Sequence, residues 1–186
     1  MPELPEVETI RRGLEKLAIK KTIRKVYVLC EKSLRGDASH VEGQEIVEYD
    51  RRGKALLVRL SNGYTMMIHL RMTGQLIFVD RESDERFAAG HPDGGFTEVM
   101  PGRHTRGYFE FTDGTNLYFN DQRKFGFVAI LNKEELAADK FLQKLGPEPW
   151  EMSKQNFWER IQKHAKSPIK AVILDQQVIA GVGNIY

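Results

Sequence analysis

The chain has 186 residues, of which 41% are hydrophobic and 29% are charged, the balance of a soluble protein with a real core. No apolar run approaches the roughly 18–20 residues that span a bilayer, which excludes a membrane protein with a spanning helix. The acidic start MPELPEVET is unlike a signal peptide and predicts a cytosolic protein. A single cysteine, Cys30, excludes a disulfide framework and any zinc site built on paired cysteines of this chain. The net charge of +2 indicates little about nucleic acid by itself.

The first predicted element is a helix of about three to four turns. Val7, Ile10, Leu14 and Leu17 recur at helical spacing. Pro5 stands where a first-turn proline is tolerated, and acidic residues beside it suit the positive end of the helix dipole.

Residues 22–131 show the pattern of β-strands. Asn62-Gly63 and Asp113-Gly114 predict hairpins, and a succession of short strands favours a β-sandwich or barrel. The polar, Gly-rich stretch 81–103 predicts a long loop of the kind that can be mobile. The strand-like runs are IRKVYVL, EIVEY, ALLVRL, YTMMIHL, QLIFVD, GYFEFT, NLYFN and FGFVAIL.

The remainder of the chain is predicted to be helical. KEELAADKFLQKL indicates one helix ending at Gly146, GPEPW a linker, and later helices over 153–166 and from Pro168. Asn184 in GVGNIY is typical of the N-cap of a further helix. We therefore expect a complete β-rich domain followed by part of a helical one, in a chain shorter than its parent protein.

The N-terminal Pro-Glu pair is a candidate catalytic centre. If Met1 is removed, Pro2 becomes a secondary amine that titrates near pH 8 and is partly nucleophilic at neutral pH. Attack on a sugar C1′ would form an iminium that activates the C2′ proton, with Glu3 beside it as proton donor and acceptor. The alternative is an ordinary helix start with acidic capping residues.

Two segments in the strand region offer further DNA-binding candidates. Lys54 lies at the mouth of a strand after Arg51 and Arg52 and could meet a phosphate, the alternative being a solvated turn lysine. Met72 in IHLRMTG falls at a strand-to-turn junction. Such a methionine is usually core, but an exposed one can act as a wedge between base steps.

Two later segments combine basic residues with features that suit nucleic acid. Arg123, Lys124 and Phe125 in NDQRKFGF form a basic-aromatic cluster at a hairpin tip, suited to base edges and stacking. In KHAKSPIKAVILDQQVIAGVGNIY, lysines and a Gly-x-Gly before Asn184 indicate a phosphate site, or simply a tight interhelical turn.

The order of these motifs resembles the formamidopyrimidine-DNA glycosylase family. MPELPEVET, RRGK, HLRM-x-G, D-x-RKFG, LGPEP and LDQ-x-VIAGVGNIY follow one another along the whole chain. The resemblance implies an α+β fold: an N-terminal helix packed on a two-sheet β-sandwich, then a partial helix-two-turn-helix domain. It also implies a bifunctional glycosylase and abasic-site lyase that removes 8-oxoguanine and formamidopyrimidines from duplex DNA. We expect a catalytic domain over 1–131, a linker with a helix over 132–150, and a truncated DNA-binding domain over 151–186.

The resemblance also assigns roles to individual residues. Pro2 matches the Schiff-base nucleophile, Glu3 the general acid and base, and Lys54 the lysine that contacts phosphate and assists β-elimination. The residues that fill the void left by the flipped nucleotide would be Met72, Arg123 and Phe125. The other predicted DNA-binding residues are His69, Arg71, His104, Lys166 (next to Ala165, where the family's lysine falls) and Asn184.

The chain departs from the family pattern in two further respects. The family's C-terminal four-cysteine zinc finger, with the arginine assigned to δ-elimination, is absent, so we expect no cofactor or metal in this chain and zinc only in that finger. His69 and His104 lie 35 residues apart, which makes 81–103 an expected insertion. The expected partner is double-stranded DNA that contains oxidised bases. We expect the protein to be a monomer and not to associate with a membrane.

Three alternatives remain at this stage. Endonuclease VIII shares the Pro-Glu chemistry but prefers oxidised pyrimidines; PELPE, where that branch has PEGPE, and RKFG favour the purine enzyme. A non-catalytic lesion-binding fragment is disfavoured for the parent protein by the intact Pro2, Glu3 and Lys54, but it stays open for this shorter chain. We expect this chain to bind duplex DNA weakly and to excise 8-oxoguanine poorly, whereas the full-length parent is active. A β-rich small-molecule module would leave the MPELPE start and the RKFG tip unexplained.

Overall fold

A computed structural model describes residues 1–80, 82–83, 85–91 and 99–185. An N-terminal helix covers two five-stranded sheets, and short helices follow the last strand. The predicted helix on a two-sheet sandwich is confirmed.

The N-terminal helix α1 spans Leu4–Ala18 and brings the start of the chain against the sheets. Glu3 is its N-cap, and the Glu3 backbone N–H donates to Glu6 Oε2 at 2.7 Å, as in a capping box. The predicted apolar face is buried at Val7, Ile10 and Leu14. The helix thus holds Pro2 and Glu3 at a defined end of the sandwich.

The sheets have the strand orders β1-β8-β9-β6-β7 and β2-β10-β5-β4-β3. Neighbouring strands are antiparallel except β2 and β10, which pair in parallel. Alternate side chains of both sheets point between them and form the main core. The strands are β1 (Ile23–Val28), β2 (Leu34–Arg35), β3 (Ile46–Arg52), β4 (Ala55–Leu60), β5 (Thr65–His69), β6 (Gly74–Val79), β7 (Arg86–Gly90), β8 (Thr105–Phe111), β9 (Asn116–Asp121) and β10 (Phe127–Leu131).

Both predicted hairpins are present. Gly63 and Gly114 have φ values of 85° and 84°, the left-handed region that a tight turn requires and glycine adopts easily. The predicted loop over 81–103 is partly wrong, because β7 lies inside it and pairs antiparallel with β6. Residues 81, 84 and 92–98 lie outside the described residues. Strand β2, only two residues long, was also not predicted.

Two connections that cross from one sheet to the other position the site. The turn 70–73 links β5 to β6, and the turn 122–126 links β9 to β10. Gly74 at the start of β6 pairs with Asp121 at the end of β9, and His69 at the end of β5 pairs with Phe127 at the start of β10. The two crossovers therefore lie side by side at one end of the sandwich.

The helical part is more interrupted than predicted. The expected single helix after β10 is two: α2 (Lys133–Ala138) and α3 (Lys140–Lys144). Asp139 ends the first and caps the second by accepting a bond from Leu142 N. Residues 149–151 form a 3₁₀ turn, and α4 (Lys154–Gln162) is shorter than the predicted 153–166.

The last helix, α5 (Ile169–Leu174), begins after Pro168 as predicted. Val172, Val178 and Ile179 form a small separate core with side chains of α4. Within the described residues no helix begins at Asn184, so its predicted N-cap role is not seen there. None of the described helices has the length and apolar character needed to cross a membrane.

Candidate active site

A cleft of about 620 Å³ opens at the end of the sandwich where the two crossovers lie. It receives residues from the start of the chain, from the β3–β4 turn, from both crossovers, from α3 and from the segment after α5. Its lining consists of Met1, Pro2, Lys54, His69, Arg71, Met72, Lys124, Phe125, Phe141 and Gln176. Six of the predicted site residues thus share one cavity with basic and aromatic neighbours.

Pro2 is buried at the cleft wall, with Met1 before it 37% exposed. While Met1 is attached, the Pro2 nitrogen is an amide and has no free lone pair. Removal of Met1 would convert it to a secondary amine at the edge of the cleft.

Glu3 is completely buried behind Pro2. Its Oε1 accepts backbone hydrogen bonds from Asn184 at 2.8 Å and from Ile185 at 3.0 Å. Gly183 packs directly on this carboxylate: a Cβ atom there would lie 2.0 Å from Glu3 Cδ. The segment after α5 therefore holds the carboxylate in place, and glycine at position 183 gives it room.

Lys54 extends from the β3–β4 turn into the cleft. Its Nζ donates to the carbonyl oxygen of Val182 at 2.9 Å. Burial lowers the pKa of Lys54, and the negative charge of Glu3 partly opposes that shift. Gly53 before it has φ +56°, so the turn uses glycine in the left-handed region. Arg51, which sequence grouped with the phosphate candidates, is instead engaged by carboxylates.

His69 is only 8% exposed and faces the cleft from the end of β5. Burial lowers its pKa to about 3, with further lowering by the charges of Arg71 and Lys54, so the ring is neutral at pH 7. Its Nδ1 accepts the backbone N–H of Arg71 at 3.1 Å, which leaves the ring proton on Nε2 as a donor. His69 is suited to donate a hydrogen bond rather than to supply a positive charge.

Met72 and Phe125 project from the tips of the two crossovers, 38% and 55% exposed. Arg71 and Lys124 beside them have φ values of 53° and 58°, left-handed conformations that are costly for residues other than glycine. The Arg123 guanidinium lies 4.8 Å from the centroid of the Phe125 ring. The three predicted void-filling residues therefore lie on adjacent turns. Two of them, Met72 and Phe125, line the same cleft as Pro2.

Asp121, which sequence reasoning did not single out, organises these turns. Its buried carboxylate accepts the backbone N–H of Arg123 at 3.1 Å and that of Gly126 at 2.7 Å. The Thr73 hydroxyl, on the other crossover, donates to the same carboxylate. An acidic residue at a strand end before a turn is the signal that could have indicated it.

The other predicted DNA-binding residues lie around this end of the molecule to different degrees. The His104 carbonyl accepts the Asp121 N–H at 2.9 Å, which places His104 beside the β9–β10 crossover. Asn184 is exposed, and its backbone N–H is used by Glu3. Lys166 is exposed between α4 and α5 and does not line the cleft.

The described residues contain no group of three or more His, Cys, Asp or Glu side chains that could hold a metal ion. With one cysteine in the whole chain, a four-cysteine finger cannot be built from these residues.

Family models match both parts of the chain. Residues 1–128 match the formamidopyrimidine-DNA glycosylase N-terminal domain, and residues 145–186 match the H2TH domain of the same family. A formamidopyrimidine-DNA glycosylase of Ligilactobacillus salivarius is 41% identical over 192 residues, covering 100% of this chain and 63% of the relative. One from Bacillus cereus is also 41% identical, over 194 residues, with 100% and 64% covered.

Solved structures give the same result. The MutM (Fpg) protein of Thermus thermophilus superposes with a TM-score of 0.75 at 36% identity, over 99% of this chain and 61% of that one. A Lactococcus lactis Fpg mutant in complex with a Fapy-dG containing DNA gives a TM-score of 0.80 at 27% identity, over 100% and 64%. The chain therefore belongs to the formamidopyrimidine-DNA glycosylase family.

Proposed function

We propose that this chain carries the catalytic site of a bifunctional DNA glycosylase and abasic-site lyase that removes oxidised purines from duplex DNA. The observation that carries the proposal is the convergence of Pro2, Lys54 and the exposed tips Met72 and Phe125 on one cleft. A nucleophile, a partly buried amine and two wedge-shaped side chains at one cavity are what excision of a flipped nucleotide requires.

Pro2 acts as the nucleophile once Met1 has been removed. Its amine nitrogen attacks C1′ of the damaged nucleotide, and the bond from C1′ to the base breaks, with its electron pair and a proton going to the departing base. The Pro2 nitrogen then loses its proton, the sugar ring oxygen takes up a proton as its bond to C1′ breaks, and the opened sugar is held as an iminium between Pro2 and C1′. Loss of the C2′ proton then pushes electrons toward C3′, and the bond from C3′ to its phosphate oxygen breaks.

Glu3 and Lys54 handle the protons of these steps. Two backbone amides fix Glu3 directly behind Pro2, which orients it for donating to the sugar and accepting from it. Lys54, whose pKa is lowered by burial, exchanges protons more readily than a solvated lysine and also offers charge to a phosphate.

Met72, Arg123 and Phe125 enter the duplex in place of the flipped nucleotide. Unstacking a base step costs a few kcal/mol, and apolar side chains inserted into the gap offset part of that cost. Arg123, stacked on Phe125, is the member with donors for the base opposite the lesion.

The remaining proposed contacts are to the DNA backbone. Arg71 and Lys166 contribute positive charge, and His104 and Asn184 contribute polar groups at the rim. His69, neutral at pH 7, contributes a hydrogen-bond donor inside the cleft. The reaction uses no cofactor bound by this chain, and zinc belongs to the C-terminal finger of longer family members. We further propose a monomer that acts in the bacterial cytosol.

The chain spans about 63% of the length of the curated relatives it matches, so activity must be measured on this chain itself. The test is borohydride trapping on a duplex with 8-oxoguanine opposite cytosine, using the chain without Met1. A covalent protein–DNA adduct that is absent from Pro2→Gly supports the proposal. Absence of an adduct also on a preformed abasic site overturns it and leaves a non-catalytic lesion-binding fragment.

The same assay separates the two enzyme branches of the family's chemistry. Adduct formation on an oxidised pyrimidine at a higher rate than on 8-oxoguanine would assign the endonuclease VIII type of specificity. We expect the purine lesion to react faster.

A further inference from the structure

A buried ion pair connects Arg51, at the end of β3, with Glu148, in the segment after α3. Arg51 Nη1 and Nη2 donate to the two oxygens of Glu148 at 2.7 and 2.9 Å, a bidentate fork. The side chains are only 9% and 4% exposed. The two residues lie 97 positions apart in the sequence, so the pair joins distant parts of the chain.

The pair grips the backbone of Gly53, the residue immediately before Lys54. Glu148 Oε1 also accepts the Gly53 N–H at 2.7 Å, and Arg51 Nη1 donates to the Gly53 carbonyl at 2.8 Å. Both polar backbone groups of Gly53 are therefore held by the pair. These two bonds fix the backbone just before Lys54, and so they fix the Lys54 Cα and the point from which its side chain extends.

Arg51 also contacts the helix that carries the nucleophile. Its Nε donates to Glu8 Oε2 at 3.1 Å, and Glu8 lies on α1 close to Pro2 and Glu3. Burial alone would raise the pKa of Glu8, but hydrogen bonds from Arg11, Arg12 and Arg51 lower it to about 2. Arg51 is thus the common partner of α1, the β3–β4 turn and the segment 146–151.

Stability by itself is a weak explanation for this pair. A buried ion pair gains little over apolar residues of similar volume, because desolvation offsets most of the attraction. A second pair, Arg52–Glu151, already joins the same two segments, and its side chains are 38% and 43% exposed. What the buried pair adds is the fixed Gly53 backbone.

We propose that Arg51 and Glu148 are positioning residues that set Lys54 Nζ relative to Pro2 and Glu3 during abasic-strand cleavage. The catalytic effect of this placement rests on the proposed function. The claim that the pair fixes the position of Lys54 does not depend on the proposed function. The charged group that acts on Lys54 is Glu3, at the start of α1. His69, Arg71 and Lys124 are the other titratable side chains that line the same cleft.

The decisive variant is the double substitution Arg51→Met with Glu148→Leu. It fills the same volume without charge, so the fold should be kept, but it releases both bonds to Gly53. We expect kcat for cleavage of a preformed abasic site to fall about tenfold and KM to change less than about twofold. The matched control, Arg52→Met with Glu151→Gln, removes the exposed ion pair but keeps an acceptor for the Glu148 backbone N–H, and it should leave both constants within about twofold of the parent.

A milder variant guards against loss of folding. Glu148→Gln keeps the shape and one acceptor, and Glu151→Gln is its control in the same segment. We expect Glu148→Gln to lower kcat in the same direction as the double variant and Glu151→Gln to have no effect. Melting temperatures of all variants show that the assays are run on folded protein.

A readout without activity keeps the inference independent of the proposed function. Titration of ¹³Cε-labelled lysines by NMR, with the Lys54 signal assigned by its loss in Lys54→Arg, reports the environment of that amine. Because burial lowers the pKa of Lys54, loosening its turn in the Arg51→Met, Glu148→Leu double variant should move this pKa upward, and the Arg52→Met, Glu151→Gln control should not. An unchanged Lys54 titration in the folded double variant overturns the inference. So does full cleavage activity in the folded double variant. A parent chain that forms no borohydride adduct overturns the proposed function alone.

Discussion

Gly183 lies against the Glu3 carboxylate so closely that a Cβ atom on residue 183 would fall 2.0 Å from Glu3 Cδ and from Oε2. The contact joins the start of α1 to the segment that follows α5. Real Cβ atoms do not approach other atoms this closely, so any side chain at position 183 must displace the carboxylate or the segment itself.

Gly183→Ala should therefore misplace Glu3 and reduce borohydride trapping about tenfold or more on an abasic duplex. Gly63→Ala is the control. It strains a hairpin turn at φ +85° that does not line the cleft, so it shows how much trapping is lost through reduced stability alone. Normal trapping by a folded Gly183→Ala protein would contradict the assigned place of Glu3.

A blocked N-terminus should abolish adduct formation. Retention of Met1, or an N-terminal tag, leaves the Pro2 nitrogen as an amide without a free lone pair, whereas the same tag at the C-terminus leaves it untouched. The measurement is borohydride trapping with mass spectrometry of the N-terminus. An adduct formed at the normal rate by protein that retains Met1 would show that another amine is the nucleophile.

His69 should make the protein less stable in mild acid. Its pKa is about 3 in the folded chain, against an ordinary value near 6.5, so below pH 6.5 the unfolded chain binds a proton that the folded chain does not. Stability is therefore lost as the pH falls from about 6.5 toward 3, by about 2 kcal/mol at pH 5.

Urea unfolding of the parent and of His69→Gln at pH 7 and pH 5 tests this. The loss of unfolding free energy between the two pH values should be about 2 kcal/mol smaller in the variant. His40→Gln, a substitution of an exposed histidine, should leave the loss unchanged. Equal losses in the parent and in His69→Gln would show that the folded chain protonates His69 as readily as the unfolded chain does.

Removal of the Asp121 carboxylate should loosen both crossovers at once. Asp121→Ala leaves the Gly126 N–H and the Thr73 hydroxyl without their buried acceptor, and the Arg123 N–H keeps only Thr73 Oγ1, at a cost of about 3 kcal/mol of stability. Asp80→Ala, just after β6, removes the acceptor of an exposed bond from Glu82 N–H and should cost less. Urea unfolding measures both, and similar losses would show that Asp121 does not hold the crossovers.

Arg123→Ala should weaken discrimination of the base opposite the lesion. Forked hydrogen bonding to a base edge is typically worth about 1–3 kcal/mol. Because the Arg123 side chain is exposed, its removal should change the stability of the fold little. Excision rates with 8-oxoguanine opposite cytosine and opposite adenine give the ratio to compare. Lys124→Ala, at the neighbouring position of the turn, is the control. An unchanged ratio would remove the reading role from Arg123.

The strands with strong β composition and the hairpin glycines were predictable from sequence, because local chemistry decides them. Strand β7 was missed because RFAAG has a weak strand pattern and lies in a polar stretch; its pairing with β6 supplies what the local sequence lacks. The helix break at Asp139 follows from that side chain, which caps α3 by bonding Leu142 N. The division into 1–131, 132–150 and 151–186 stays a prediction.

The candidate site was predictable only where a motif carries the reacting group. Pro2, Lys54, Met72 and Phe125 stand in such motifs and line the cleft. Glu148 was taken as part of a linker, since a glutamate between two prolines looks solvated until its partner Arg51, 97 residues away, is known. The role of a buried charged residue depends on a partner that is distant in the sequence, and a single sequence does not show which pairs form.

The bond from Asn184 N to Glu3 spans 181 residues of sequence. A ribosome releases Pro2 and Glu3 first and the glycine-rich segment that clamps Glu3 some 181 residues later. An emerging polypeptide consequently exposes its amine while the carboxylate behind it is still unanchored, and closing so long a loop comes late in folding. The carboxylate behind Pro2 is therefore fixed only after the segment that follows α5 has docked, so the candidate site is completed late in folding.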